Sequence, residues 1–251
     1  MSQTPLPPCP VCSGACELHD VVDFNKCCEE ARGLFLPKLG VPIYYALCDH
    51  CGFCFAPELY QWSLKDFSDH IYNADYEAID PDYLELRPKG NAAMIAANFG
   101  AHAQSIRHLD FGGGNGMLSE LLAGHGFSSQ SYDPFVNPDT NPHALGPFDL
   151  ITAFEVFEHV PDVNALMISL SLSRAQSGVI LFSTTISDGH IEKGRRLDWW
   201  YASPRNGHIS LFSKASLGLL AQKFDLKFGS FNDYQHAMWS EPPPWAASLF
   251  N

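Results

Sequence analysis

The chain has 251 residues, 46% hydrophobic and 17% charged, which is enough to bury one full α/β core with a small appendage and too apolar for extensive disorder. Acidic residues outnumber basic ones by 28 to 15, and a net charge of −13 repels a phosphate backbone, so a nucleic acid partner is not expected. The first 25 residues hold Pro5, Pro7, Pro8 and Pro10 where a secretory core would need a continuous apolar run, and no later run reaches the length of a membrane span; the expected location is the cytoplasm, with no membrane partner.

All eight cysteines fall within residues 1–60, which marks a first module ending near Pro57. In a reducing compartment that density points to metal and away from disulfides. Cys9-Pro10-Val11-Cys12-Ser13-Gly14 and Cys48-Asp49-His50-Cys51-Gly52-Phe53 are two C-x-x-C turns, each followed closely by glycine. Two such turns supply four thiolates to a closed tetrahedral site, so Cys9, Cys12, Cys48 and Cys51 are the expected ligands of a structural zinc ion, the alternative being four reduced thiols. Cys16, Cys27, Cys28 and Cys54 have no comparable pairing and are not assigned to metal.

From Ser63 to about Ala103 apolar residues recur at helical spacing, among them Leu64, Phe67, Ile71, Met94, Ile95 and Phe99, with a break at Asp80-Pro81-Asp82. This predicts a helical connector over 61–104. Tyr72 and Tyr76, four residues apart, share one face of such a helix, where they either cover a cofactor or pack in a core.

Beyond Ser105 short apolar runs alternate with helical stretches, the pattern of βαβ units. Strands are predicted at 106–111, 129–133, 149–154 and 178–184, and helices at 117–125, 161–174 and 213–223. The segments 226–232 and 236–240 can close the sheet as a hairpin. The fold class is α/β, a Rossmann-like, mostly parallel sheet with helices on both faces over 105–251, behind the N-terminal zinc module.

The first predicted strand runs into Asp110-Phe111-Gly112-Gly113-Gly114-Asn115-Gly116, and a helix follows. Glycine at alternate positions lets a ligand lie against bare backbone. Asp133, seventeen residues after Gly116, ends the next strand, where a carboxylate can accept both hydroxyls of a ribose. A dinucleotide site needs G-x-G-x-x-G, and counting from Gly112 and Gly114 the third glycine is replaced by Met117. What stands here, Asp-x-Gly-x-Gly-x-Gly from Asp110 to Gly116, resembles motif I of the class I S-adenosylmethionine-dependent methyltransferases.

That resemblance implies an S-adenosylmethionine cofactor held by Asp110, Gly112, Gly114, Gly116 and Asp133. The ligand's ammonium and sulfonium groups suit a nearby carboxylate such as Asp110. A second segment, Phe148-Asp149-Leu150-Ile151-Thr152-Ala153-Phe154-Glu155-Val156-Phe157-Glu158-His159, reads like the family's fourth strand; Phe154 and Glu155, just past its carboxyl end, are implied to lie along the cofactor. Asp149 reads as a structural residue at the strand start. One departure stands out: only 14 residues, four of them proline, separate Asp133 from Phe148, so the family's usual third strand and its helix must be shortened or replaced by loop.

The expected activity is methyl transfer to a small-molecule acceptor. A zinc module ahead of a class I domain resembles certain sugar methyltransferases, which implies a sugar or nucleotide sugar. His159 and His208 are the leading candidates for a catalytic base and His190 a third, although loop histidines are common without such a role. Asp198-Trp199-Trp200-Tyr201, in the long 187–207 insertion, forms either a substrate wall or a hydrophobic clasp. The rival function is a non-catalytic interaction protein that docks a partner through its zinc knuckles and keeps a relic cofactor domain.

Overall fold

A computed structural model of the chain describes residues 6–249. In chain order the regular elements are β1 (Cys16–Asp23), β2 (Pro42–Cys48), β3 (Cys54–Phe55), α1 (Leu64–His70), α2 (Tyr76–Ile79), α3 (Leu86–Phe99), β4 (Arg107–Phe111), α4 (Met117–Gly124), β5 (Ser128–Tyr132), β6 (Phe148–Phe154), α5 (Val163–Ser173), β7 (Arg174–Ser183), β8 (Ser210–Leu211), α6 (Lys214–Lys223), β9 (Lys227–Ser230) and β10 (Gln235–Trp239). The strands and helices expected after Ser105 are all present, and the terminal segments pair as the antiparallel hairpin β9/β10. No helix among the described residues is long and apolar enough to cross a membrane.

The chain divides into two compact units, and the division is not contiguous in sequence. The first comprises 1–80 together with 157–164 and 185–220; the second comprises 81–156, 165–184 and 221–251. Boundaries at 60 and 104, which the cysteine distribution and helical spacing suggested, are therefore not where the packing divides. The insertion 187–207 contributes to the first unit's core.

The first unit carries a four-stranded antiparallel sheet in the order β1-β2-β3-β8, with a bulge in β1 between Leu18 and Asp20. Its core joins Tyr45, Leu59, Phe67, Ile71 and Tyr76 to Leu197, Trp199 and Tyr201 of the insertion. That packing favours the clasp reading of the aromatic run, with Trp199 5% exposed and Trp200 40%. The helix bearing the tyrosines is not continuous. A Ser63/Asp66 capping box starts α1, α1 ends at His70, and Tyr76 opens the separate α2.

The second unit carries a six-stranded sheet in the order β5-β4-β6-β7-β10-β9, the first four parallel and the last two antiparallel. Sequence order explains the arrangement. β6, Phe-Asp-Leu-Ile-Thr-Ala-Phe, is nearly continuously apolar and lies inside the sheet, as a strand covered on both faces must. β5, Ser-Ser-Gln-Ser-Tyr, is polar and forms the edge. No strand follows it before β6; the proline-rich stretch holds loop turns and one short helical turn at Pro142–Ala144, so the expected shortening is what the structure shows. Asp149 accepts the Arg107 N–H at 2.9 Å through Oδ2, a strand-pinning role.

Candidate functional site

Because β4, β5 and β6 run parallel, their carboxyl ends lie at one edge of the sheet, where ligands of open α/β sheets are bound. The chain moves from β4 outward to β5 and then crosses to β6 on the other side, so the glycine loop sits at a topological switch point.

The loop takes its shape from backbone that only glycine adopts cheaply. Gly112, Gly114 and Gly116 have φ of 74°, 53° and 79°. A Cβ on Gly112 would stand 2.5 Å from Val156 Cγ2, and one on Gly113 would collide with Ser131 Oγ and Asp110 Oδ2. At Gly114 a Cβ would meet nothing within 4 Å, so this glycine faces open space. The Gly112 N–H donates to the Tyr132 carbonyl at 2.7 Å, and the Gly114 N–H donates to Asp133 Oδ2 at 3.0 Å.

Asp133 is 8% exposed, and its Oδ1 accepts the Phe135 N–H at 2.8 Å. Asp110 is 4% exposed and accepts the Thr152 hydroxyl at 2.9 Å. Burial drives the Asp110 carboxyl up to about 7, the Thr152 hydrogen bond works against that rise, and the charge of Asp133 adds to it. At the end of β6, Glu155 adopts φ 54°, a left-handed conformation costly for a side chain with Cβ. Its N–H donates to Ser183 Oγ at 2.9 Å, and the Ser183 hydroxyl donates to Glu155 Oε1 at 3.1 Å. Phe154 beside it is half-buried.

Thus Asp110, Gly112, Gly114, Gly116, Asp133, Phe154 and Glu155 all belong to the second unit, at the ends of three of its four parallel strands. Tyr72, Tyr76, His159 and His208 belong to the first. There Tyr72 and Tyr76 meet edge to face with centroids 5.1 Å apart, Tyr76 being buried in the core and Tyr72 packed against it. The rings of His159 and His208 are 4.9 Å apart. Glu158, His159 and His208 offer ligand atoms that all lie within 4.8 Å of one another.

Sequence reasoning gave Glu158 no role, although it adjoins His159 in the chain, and read Tyr201 only as part of the aromatic run. The Tyr201 hydroxyl donates to Glu158 Oε1 while its carbonyl lies 2.8 Å from His208 Nδ1. Gly207, at φ 88°, is small where a Cβ would approach His159 Nδ1 to 3.0 Å and the Tyr72 hydroxyl to 3.1 Å. His190 stands apart from this group, stacked on Trp199 at 4.8 Å beside a cavity of about 370 Å³ that Arg195, Arg196 and Asp198 also line.

The four cysteines singled out by spacing converge. Cys9, Cys12, Cys48 and Cys51 have Sγ atoms within 4.8 Å of one another, with Cys9–Cys51, Cys12–Cys48 and Cys12–Cys51 at 3.6, 3.5 and 3.4 Å. A disulfide needs roughly 2 Å, whereas sulfurs bonded at roughly 2.3 Å to one tetrahedral ion stand roughly 3.8 Å apart. The two turns match: Ser13 donates to the Cys9 carbonyl at 2.8 Å and Gly52 to that of Cys48 at 3.0 Å, with left-handed φ of 61° and 71°. A Cβ on Gly14 would press to 3.2 Å on both Cys12 and Cys48 Sγ, so the space around the sulfurs depends on that glycine. Four thiolates this close would repel one another, a charge that a divalent cation among them would neutralise.

A family model described as a methyltransferase domain matches residues 83–229. Comparison with curated proteins finds no match. Among solved structures, an O-methyltransferase family protein from Burkholderia thailandensis is 11% identical with a TM-score of 0.50; the alignment covers 69% of this chain and 61% of that one. The 1,6-didemethyltoxoflavin-N1-methyltransferase of Burkholderia thailandensis, solved with 1,6-didemethyltoxoflavin and S-adenosylhomocysteine, is 15% identical with a TM-score of 0.50, covering 80% of this chain and 96% of that one. At such identities the likeness is one of fold.

Proposed function

Since the chain belongs to the methyltransferase-domain family, we propose that it transfers the methyl group of S-adenosylmethionine to an oxygen or carbon of a small molecule. The observation that carries this is the cradle at the ends of β4 and β5: three left-handed glycines, open space at Gly114, and Asp133 tied to the loop tip. When bound, the donor supplies a methyl group on a sulfonium, ready for in-line displacement. Gly112, Gly114 and Gly116 admit it against bare backbone, Asp133 accepts its ribose hydroxyls with lone pairs that Gly114 and Phe135 do not use, and Asp110 supplies negative charge toward its cationic end. Phe154 and Glu155 line it from the end of β6. In-line transfer draws most of its acceleration from such positioning.

An oxygen acceptor must lose a proton, and His159 and His208 are our candidates for the base. Donation of Nδ1–H to the Tyr201 carbonyl fixes His208 with Nε2 as its basic nitrogen. His159 is half-buried where His208 is 4% exposed, which makes His159 the more reachable of the two. In this reading the acceptor is a sugar or nucleotide sugar, suited to a module of this kind ahead of a methyltransferase domain. Cys9, Cys12, Cys48 and Cys51 hold a structural zinc, closed to water and substrate. In this reading the protein works in the cytoplasm, where thiols outside the zinc site stay reduced.

The test is calorimetry with S-adenosylhomocysteine on folded protein, followed by turnover against a panel of sugars and nucleotide sugars. Saturable binding and transfer to one of them is the expected result, and His159→Ala lowers turnover by about 10² to 10⁴ while leaving donor affinity in place. Absence of any saturable binding overturns the proposal.

A further inference from the structure

A buried row of polar side chains crosses the sheet of the second unit and ends in the cradle. Ser119 Oγ on α4 lies 2.8 Å from Ser129 Oγ on β5, which lies 2.7 Å from His108 Nδ1 on β4. His108 Nε2 lies 3.0 Å from Thr152 Oγ1 on β6, and Thr152 donates to Asp110 Oδ1 at 2.9 Å. His108 and Thr152 are 0% exposed, at positions in central strands that apolar residues would ordinarily fill. Polar groups so placed are costly unless every member is satisfied, and here each one is.

Proton counting fixes the direction of the row. Thr152 has one proton and gives it to Asp110, so His108 must donate from Nε2 to Thr152. Burial pushes His108 down to about 3, leaving it neutral with a single N–H, so its Nδ1 must accept from Ser129. Ser119 then donates to Ser129. Every hydrogen bond points toward the carboxylate. Protonation of Asp110 would reverse them all and switch the tautomer of His108.

We propose that His108 and Thr152 are positioning residues for the donor site, holding Asp110 as an oriented, ionised carboxylate that faces the donor's cationic groups at neutral pH. This rests on the donor-binding reading above. Burial and the charge of Asp133 both favour a neutral Asp110, and the Thr152 hydrogen bond opposes them. Around Asp110, β4 contributes the neutral His108, β5 the hydroxyl of Ser131 and, at its end, the charged Asp133, β6 the hydroxyl of Thr152, and the glycine loop no side chain. Asp133 is therefore the one charged group acting on it among the described residues.

The experiment measures S-adenosylhomocysteine affinity by calorimetry from about pH 5.5 to 9, alongside carboxyl-carbon NMR of Asp110 and nitrogen NMR of His108 in ligand-free protein. In the parent chain, affinity should fall as pH drops through about 7. Thr152→Val, close in shape, should move both the affinity loss and the Asp110 titration upward by about one to two pH units. Thr152→Ser should restore them, and His108→Leu should shift them the same way by less. His108 should carry its proton on Nε2 above the Asp110 transition.

A Thr152→Val profile that runs parallel to the parent, weaker at every pH with Asp110 titrating unmoved, overturns the proposal. So does a proton on Nδ1 of His108 at high pH. Should the parent fail to bind S-adenosylhomocysteine while the NMR shifts occur as described, the donor reading falls and control of Asp110 by the row stands.

Discussion

The backbone N–H of Gly114 donates to Asp133 Oδ2 at 3.0 Å, so the tip of the glycine loop and the end of β5 are joined by a single charge-assisted hydrogen bond. Oδ1 is oriented separately by the Phe135 N–H at 2.8 Å. The carboxylate is therefore aimed before any ligand arrives. Asp133→Ala removes both the ribose acceptor and the brace on the loop, and hydrogen bonds to a charged group are each worth about 1.5 to 3 kcal/mol. Calorimetry with S-adenosylhomocysteine should show a loss of about 100-fold or more, with Asp133→Asn, which keeps one acceptor oxygen, falling between the two.

The loop's glycines are not equivalent, and alanine substitution should separate them. At Gly113 a Cβ would collide with Ser131 and Asp110, so Gly113→Ala should lower Tm by several degrees. At Gly114 a Cβ meets no atom within 4 Å, and the only cost to the free protein is its φ of 53°, about 1 to 2 kcal/mol. That Cβ projects into the space proposed for the donor. Gly114→Ala should stay folded, with a modest Tm shift by circular dichroism, and lose donor affinity out of proportion to its loss of stability.

Four sulfurs within 4.8 Å of one another, three of their pairs at 3.4 to 3.6 Å, with matched turns predict one tightly held zinc per chain, measurable by native mass spectrometry. Cys12→Ser or a strong chelator should remove it and destabilise the first unit, because metal affinity at such a site is folding free energy. Donor binding by the second unit is a separate measurement. Gly14→Val makes the finer test: it leaves all four ligands in place but presses on Cys12 and Cys48, and should weaken zinc retention without abolishing it.

The second unit was legible because its signals are local. A strand, a glycine run and a helix are contiguous in 106–125, and Asp133 follows at a distance set by one helix and one strand. The cysteine pairs were legible for the same reason. The first unit was not, since 157–164 and 185–220 return to pack with residues 1–80, and neither periodicity nor composition marks a return across the whole of 81–156. Tyr72 and Tyr76 show the limit of spacing: their rings meet although Tyr72 lies in no helix. Nothing in the local sequence singles out His108 and Thr152, and only the lateral register of β4 against β6 makes them neighbours.

His108 also gives the fold a dependence on acid whose sign can be worked out. Its folded pKa, about 3, lies below the unfolded value of 6.5, so the unfolded chain binds the extra proton and stability declines as pH falls below about 6.5 toward 3. Asp110 works in the opposite sense: raised to about 7 from 3.8, it takes up a proton in the folded state first, so its contribution declines as pH rises through that window. The two largely offset one another between about pH 4 and 6.5 in the parent chain. His108→Leu removes one side of the balance and leaves Asp110's contribution in both proteins. Urea unfolding at pH 7 and pH 5 should therefore show the variant gaining on the parent as pH falls, by up to about 1.4 kcal/mol per pH unit. A stability difference that stays constant between the two pH values would mean that His108 takes up its proton in the fold as readily as in the unfolded chain, and the neutral imidazole that the row of hydrogen bonds requires would not be held.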